Sequence, residues 1–273
     1  MSDLSLAPDP LPSSVPDPWA DLRRHTPARI ALGRVGNSLP TAEVLRFAAA
    51  HAQARDAVHL PLDVASLSAV LATDGWPTLT VTSRAATRDV FLRRPDLGRR
   101  LDDAGAAALF AVQCSPGSVV PDLALVVADG LSAQAAQDHA ADVLRHLREA
   151  LGGACVLSPV VVATQARVAL ADEVGALLQA RAVLVLLGER PGLSSPDSLG
   201  AYLTFAPRVG SNDAQRNCVS NIRPTGLAPA AAAARLAWLV KEALRRRLTG
   251  IGLKDDSATA LIPQAANVDN PSA

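Results

Sequence analysis

The segment Ala182-Val-Leu-Val-Leu-Leu-Gly-Glu-Arg-Pro-Gly-Leu-Ser-Ser-Pro-Asp-Ser-Leu199 decides the fold class. From Ala182 to Leu187 it is an unbroken aliphatic run, as expected of a strand buried on both faces of a parallel sheet. Gly188 stops the run. Glu189 and Arg190 then open a loop dense in Gly, Pro, Ser and Asp. A buried strand that delivers polar and charged residues into a turn-rich loop is where α/β proteins place ligands.

Working outward, the same grammar repeats. Leu123–Ala128 reads as a buried strand ending in Asp129-Gly130. Ser132 caps a helix that runs through Leu151, with Val143, Leu144 and Leu147 on one face, and Gly152-Gly153 ends it. Val156–Ala163 is the next strand, followed by the loop Gln165–Val168 and a helix from Leu170 to about Gln179. After Ala182–Leu187 come a further strand, Ala201–Phe205, and a last helix, Ala230–Arg247, behind Pro229. The pattern is βαβαβ followed by a strand and a helix, which predicts a Rossmann-like, mostly parallel sheet with flanking helices over residues 108–255.

Upstream, residues 21–107 read as a mainly helical N-terminal region. Thr41 is placed to cap an amphipathic helix reaching about Val58, a second helix covers Asp63–Thr73, and Thr78–Thr82 alternates as a short strand. Arg84–Asp103 is arginine-rich and helical, broken near Pro95. Residues 1–20 are a proline-rich tail expected to be disordered, and 256–273 a flexible C-terminal tail.

Composition narrows the function classes. The 26 basic and 26 acidic residues balance, so no overall field favours nucleic acid or an anionic membrane. Aromatics are 3% against 49% hydrophobic residues, so the core must be built of Ala, Leu and Val. Three widely spaced cysteines, Cys114, Cys155 and Cys218, fit a reducing compartment and neither a disulfide framework nor a zinc site. No stretch approaches the ~20 apolar residues of a spanning helix, and the expectation is a cytoplasmic protein.

Strand polarity puts three carboxyl ends on one rim: Asp129-Gly130, Gln165 to Val168, and Gly188-Glu189-Arg190. The segment Arg216-Asn-Cys-Val-Ser-Asn-Ile-Arg-Pro224 reads as a polar loop of similar site character. No Gly-x-Gly-x-x-Gly follows the first strand and no phosphate-binding P-loop is present. Asp138-His139 lacks the Asp-x-His-x-x-Gly spacing by which some cobalamin domains supply histidine to cobalt. His51 and His59 read as helix-face or turn residues. On the residues alone, Glu189 is either a ligand contact or a rim carboxylate paired with Arg190 or Arg208. Cys218 is most simply a small apolar residue, and Val168 a packing residue at a helix edge. A non-catalytic module for another cofactor or nucleotide, and a stand-alone enzyme using Glu189 and Cys218, both remain open.

Six motifs in one order decide among these. Thr26-Pro-Ala-Arg-Ile-Ala-Leu-Gly-Arg34, Arg55-Asp-Ala-Val-His-Leu-Pro61, Phe91-Leu-Arg-Arg-Pro-Asp-Leu-Gly-Arg-Arg100, Ala128-Asp-Gly-Leu-Ser132, the stretch Gly188–Leu199 and the stretch Arg216–Pro224 resemble the small subunit of ethanolamine ammonia-lyase, over about residues 22–255. The resemblance implies an adenosylcobalamin-dependent lyase that converts ethanolamine to acetaldehyde and ammonia, active only as a hetero-oligomer with a large subunit. That large subunit is a β/α barrel holding the substrate and most catalytic groups. The cofactor lies between the subunits, base-on, with its own dimethylbenzimidazole on cobalt. The resemblance assigns this chain no catalytic residue and no metal ligand, and carries cofactor contacts onto Val168, Glu189 and Cys218. Glu189 and backbone groups would pair with corrin side-chain amides, and Val168 would pack on the macrocycle or base. No nucleic-acid or membrane partner is implied. Members borne in a bacterial microcompartment often carry an amphipathic encapsulation helix. Residues 1–18 are too proline-rich for one, which leaves free cytosolic placement beside encapsulation.

Overall fold

The computed structural model describes residues 17–257. The expected tails therefore lie almost wholly outside the described residues. Within them the chain divides into two units, one reaching to Asp56 and including Gly192–Ser195, the other formed by Ala57–Pro191 with the chain from Pro196 onward.

In the first unit a 3-10 turn, Ala20–His25, precedes helix α1, Thr41–His59, which crosses the unit boundary. Thr41 is the first helical residue rather than its cap: the Glu43 and Val44 amides donate to the Pro40 carbonyl. The apolar stripe expected of α1 is not buried. Only Ala50 and Ala57 are, while Val44, Leu45 and Phe47 stand exposed. Locally, the Arg29 guanidinium lies 5.7 Å from the Phe47 ring centre and donates to the Leu193 carbonyl.

The second unit is mixed α/β. Its strands are β1 Thr78–Thr82, β2 Leu123–Ala128, β3 Leu157–Thr164, β4 Ala182–Gly188, β5 Leu199–Phe205 and β6 Arg216–Ile222, in the spatial order β1-β3-β2-β4-β5-β6. β1, β3, β2 and β4 are parallel; β5 and β6 are antiparallel. The short strand read at Thr78–Thr82, upstream of the expected α/β region, thus joins the same sheet. The helices are α2 Val64–Thr73, α3 Arg88–Arg93, α4 Asp103–Gln113, α5 Ala133–Leu151, α6 Leu170–Leu177 and α7 Pro229–Arg246.

The inner strands β2 and β4 are buried at every position and β3 at most of its positions, as their aliphatic runs require. One face carries Leu125, Val127, Val160, Val162, Leu184 and Leu186 against α2, α5 and α7; the other carries Val126, Val161, Val183 and Val185 against α4 and α6. Alanines set the helix spacing: Ala136 and Ala140 of α5 and Ala232 and Ala233 of α7 are fully buried in the same cluster. Ser132 caps α5 through the Ala135 amide, and Gly152 ends it at φ +58°. Such a glycine closes a helix without the cost a Cβ meets in the left-handed region.

Two elements depart from the sequence reading. Asp102 caps α4 by accepting from Gly105, a helix hidden inside the assumed boundary near residue 107. The stretch Arg216–Ile222, read as a polar loop, is the edge strand β6. Its buried residues Arg216, Val219 and Ile222 fall three apart. Register shifts between Leu199 and Ala201, and Asn221 sits at φ +58°. This irregularity breaks the period of two by which a strand is recognised.

Candidate functional site

β2 lies between β3 and β4, so the chain leaves β2 to one side and returns on the other. Such a reversal opens a crevice beyond the strand ends. Here the three ends are tied together. Asp129, buried beyond β2, accepts from the amides of Gln165 (2.7 Å) and Ala166 (2.9 Å) past the end of β3. Burial pushes its carboxyl above the usual range, against those two bonds and the Arg88 guanidinium at 3.5 Å. Gly130 (φ +55°) comes so close to β4 that a Cβ there would stand 2.1 Å from the Gly188 carbonyl oxygen. The same oxygen accepts from Leu131 at 2.9 Å.

The rim encloses a cleft of about 460 Å³ lined by Arg167, Val168, Gly188, Glu189, Arg190 and Tyr202, among others. Val168 and Glu189, which come from different strand ends, therefore share one cleft. Glu189 follows β4 and is half-buried. Its Oε2 accepts from the Ser198 hydroxyl at 2.5 Å and the Asn221 amide at 3.3 Å, not from Arg190 or Arg208. Its Oε1 has no hydrogen-bond partner among the described residues. Gly200 gives that oxygen room, since a Cβ there would stand 2.8 Å from it.

Cys218 does not line the cleft. It sits on β6 directly across from Tyr202 of β5, whose side chain does. The residue is exposed, yet its thiol is raised above the ordinary value. Desolvation of the sulfur is the main cause; the hydrogen bond with Tyr202 lowers it and the charge of Glu189 raises it. Burial likewise raises the Tyr202 hydroxyl, with Cys218 and Glu189 adding to it. Glu189, Tyr202 and Cys218 thus form one electrostatically linked group at the β5–β6 side of the rim.

Tyr202, Ser198 and Arg88 were not singled out by sequence reasoning. Tyr202 is the only tyrosine of the chain, and its alternation within β5 carried a usable signal. The pairings of Ser198 and Arg88 are long-range and had none. His139 of α5 is buried and faces Asp197 at 3.6 Å. Among the described residues no group of three or more His, Cys, Asp or Glu is arranged to hold a metal ion. No helix among them is long and apolar enough to cross a membrane.

An open sheet whose strand ends build a polar-rimmed cleft defines an α/β protein with a candidate ligand cleft at its carboxyl edge. Comparison with known proteins is more specific. The family model of the ethanolamine ammonia-lyase light chain matches residues 16–254. The chain is 54% identical to the ethanolamine ammonia-lyase small subunit of Pseudomonas syringae pv. tomato, over 93% of this chain and 88% of that one. It is 56% identical to that of Xanthomonas campestris pv. campestris, over 90% of each. For Pseudomonas aeruginosa the identity is 55%, again over 90% of each. The chain belongs to the ethanolamine ammonia-lyase small-subunit family and is a subunit of a lyase.

Proposed function

We propose that this chain closes the adenosylcobalamin site of ethanolamine ammonia-lyase against the large subunit, through contacts from Val168, Glu189 and Cys218. The observation that carries the proposal is the cleft in which Val168 and Glu189 meet, with Oε1 of Glu189 left without a partner. The donor set fits the cofactor. A corrin rim presents amide donors, which a carboxylate oxygen accepts, and Val168 offers an apolar edge for the ring or base. Tyr202 extends the contact toward Cys218 across the strand pair. Asp138-His139 lacks the Asp-x-His-x-x-Gly spacing, in keeping with a cofactor that would be held base-on.

When bound, the cofactor supplies the radical chemistry. This chain's residues bind it, orient it and exclude water. Ser198 and Asn221 hold Glu189 in place for that purpose, and Asp129 holds the Gln165–Val168 segment. The Rossmann-like description suits β2-α5-β3-α6-β4, and we keep 108–255 as the cofactor-contacting region, 21–107 as the N-terminal region and the expected tails beyond. The complex is read as a cytoplasmic hetero-oligomer without nucleic acid or membrane, with enclosure in a microcompartment as the other placement.

The test is co-expression with the large subunit. The complex should take up adenosylcobalamin, seen in its visible spectrum, and release ammonia from ethanolamine. The isolated chain should release none. Ammonia release that survives complete removal of the large subunit would overturn the subunit role.

A further inference from the structure

A second cleft, of about 610 Å³, adjoins the first and shares Arg167 and Val168 with it. Its other walls include Pro95, Asp96, Arg99 and Arg100 and residues 209–213. The charges around it do not balance. Arg100 is held by Glu173 in a two-bond pair of 2.9 Å each, Arg94 by Asp96, and Arg216 by Asp172 and Asp213. Arg99 and Arg167 form no ion pair among the described residues, so neither cation on the cleft wall has a carboxylate within 4 Å.

Arg167 and Arg88 are held in place, while Arg99 stands exposed. Phe91 is fully buried, and the guanidiniums of Arg167 and Arg88 lie 4.2 and 4.7 Å from its ring centre. Arg167 Nη2 donates to the Phe91 carbonyl, while its Nε and Nη2 of Arg88 are buried without an acceptor. Desolvation depresses the Arg167 guanidinium first, the neighbouring Arg88 and Arg99 charges add to it, and the Asp129 carboxylate opposes it. Like charges gathered at a partly buried site repel unless an anion joins them, and planar guanidinium forks match tetrahedral oxyanions in geometry.

We propose that Arg99 and Arg167 form a binding site for a phosphate-class oxyanion on the wall of this cleft, with Arg88 behind them. Two sources share that chemistry. One is the phosphodiester in the nucleotide loop of a bound cobalamin, and this source rests on the cofactor reading above. The other is a free phosphate, which does not.

The experiment uses the complex with its large subunit, as wild type, Arg99→Gln and Arg167→Gln. Cyanocobalamin and cobinamide, which lacks the nucleotide loop and its phosphodiester, are titrated by difference spectroscopy, and inorganic phosphate by calorimetry. A phosphodiester site predicts that either variant weakens cyanocobalamin by about tenfold and leaves cobinamide unchanged. A free-phosphate site predicts direct phosphate binding that either variant abolishes, with an unchanged cyanocobalamin-to-cobinamide ratio. Phosphate binding by a wild-type complex that takes up no cobalamin would sink the cofactor reading and leave the anion site standing. No phosphate binding, together with a cyanocobalamin-to-cobinamide ratio that neither variant changes, would overturn the proposal.

Discussion

Replacing Gly130 by Ala strikes the point where two strand ends meet. A Cβ at Gly130 would lie 2.1 Å from the Gly188 carbonyl oxygen, 2.8 Å from Leu187 Cγ and 2.9 Å from the Gly188 nitrogen. Two of these three atoms are backbone, so no side chain can turn away. Reaching even 3.0 Å requires the end of β4 to move by at least 3.0 − 2.1 = 0.9 Å. That shift breaks the 2.9 Å bond from Leu131 to Gly188, at about 1–3 kcal/mol for buried groups. Overpacking of the strand end adds about 1–3 kcal/mol. The positive φ of +55° adds backbone strain, which a control separates out. Gly152 has nearly the same φ, +58°, and its nearest neighbour would be 3.9 Å away. Gly130→Ala should therefore be less stable than Gly152→Ala by about 2–6 kcal/mol, a difference of about 5–20 °C in thermal midpoint for a unit of this size. Thermal and urea unfolding of the two variants, in the complex and alone, measure it. Equal melting of the two variants would refute the close approach of β2 and β4, and with it the rim on which the site is built.

Glu189→Gln keeps an acceptor for Ser198 but turns the free oxygen into a donor, so it should weaken adenosylcobalamin by about tenfold with little change in apo stability; lower stability at unchanged affinity would make Glu189 a purely structural residue. Arg216→Ala leaves Asp172 buried without its cation, at about 3–5 kcal/mol, read by urea unfolding. Burial already raises the Asp172 carboxyl, so the folded state holds its proton more tightly than the unfolded chain does. Loss of Arg216 raises it further, and the stability gap to wild type should be smallest below about pH 4 and widen as pH rises toward neutrality; a gap independent of pH would show that Asp172 is not the charge left behind. Cys218 has a raised thiol, so iodoacetamide should label it slowly near neutral pH and more slowly once adenosylcobalamin is bound; labelling indifferent to the cofactor removes Cys218 from the contact set.

Some of this was legible in the chain itself. The aliphatic runs of β2, β3 and β4 and their lengths marked buried strands. Ser132 before α5 and Gly152 after it marked helix ends, because capping chemistry is local. Strand polarity followed from the alternation of strand and helix, and with it the expectation that Gln165–Val168 and Gly188–Arg190 lie on one rim. Tertiary structure decided the rest. A polar edge strand interrupted by a bulge carries no period of two, so β6 read as a loop, and only the assembled sheet pairs Cys218 with Tyr202. The apolar stripe of α1 promised a buried face that the fold leaves exposed, since periodicity states which residues could be covered and not what covers them. The bonds from Asp129 to Gln165 and Ala166, and the contact of Gly130 with Gly188, join residues 36 to 58 positions apart. Local propensity acts over a few residues, and only the assembled sheet brings such distant partners within hydrogen-bond reach.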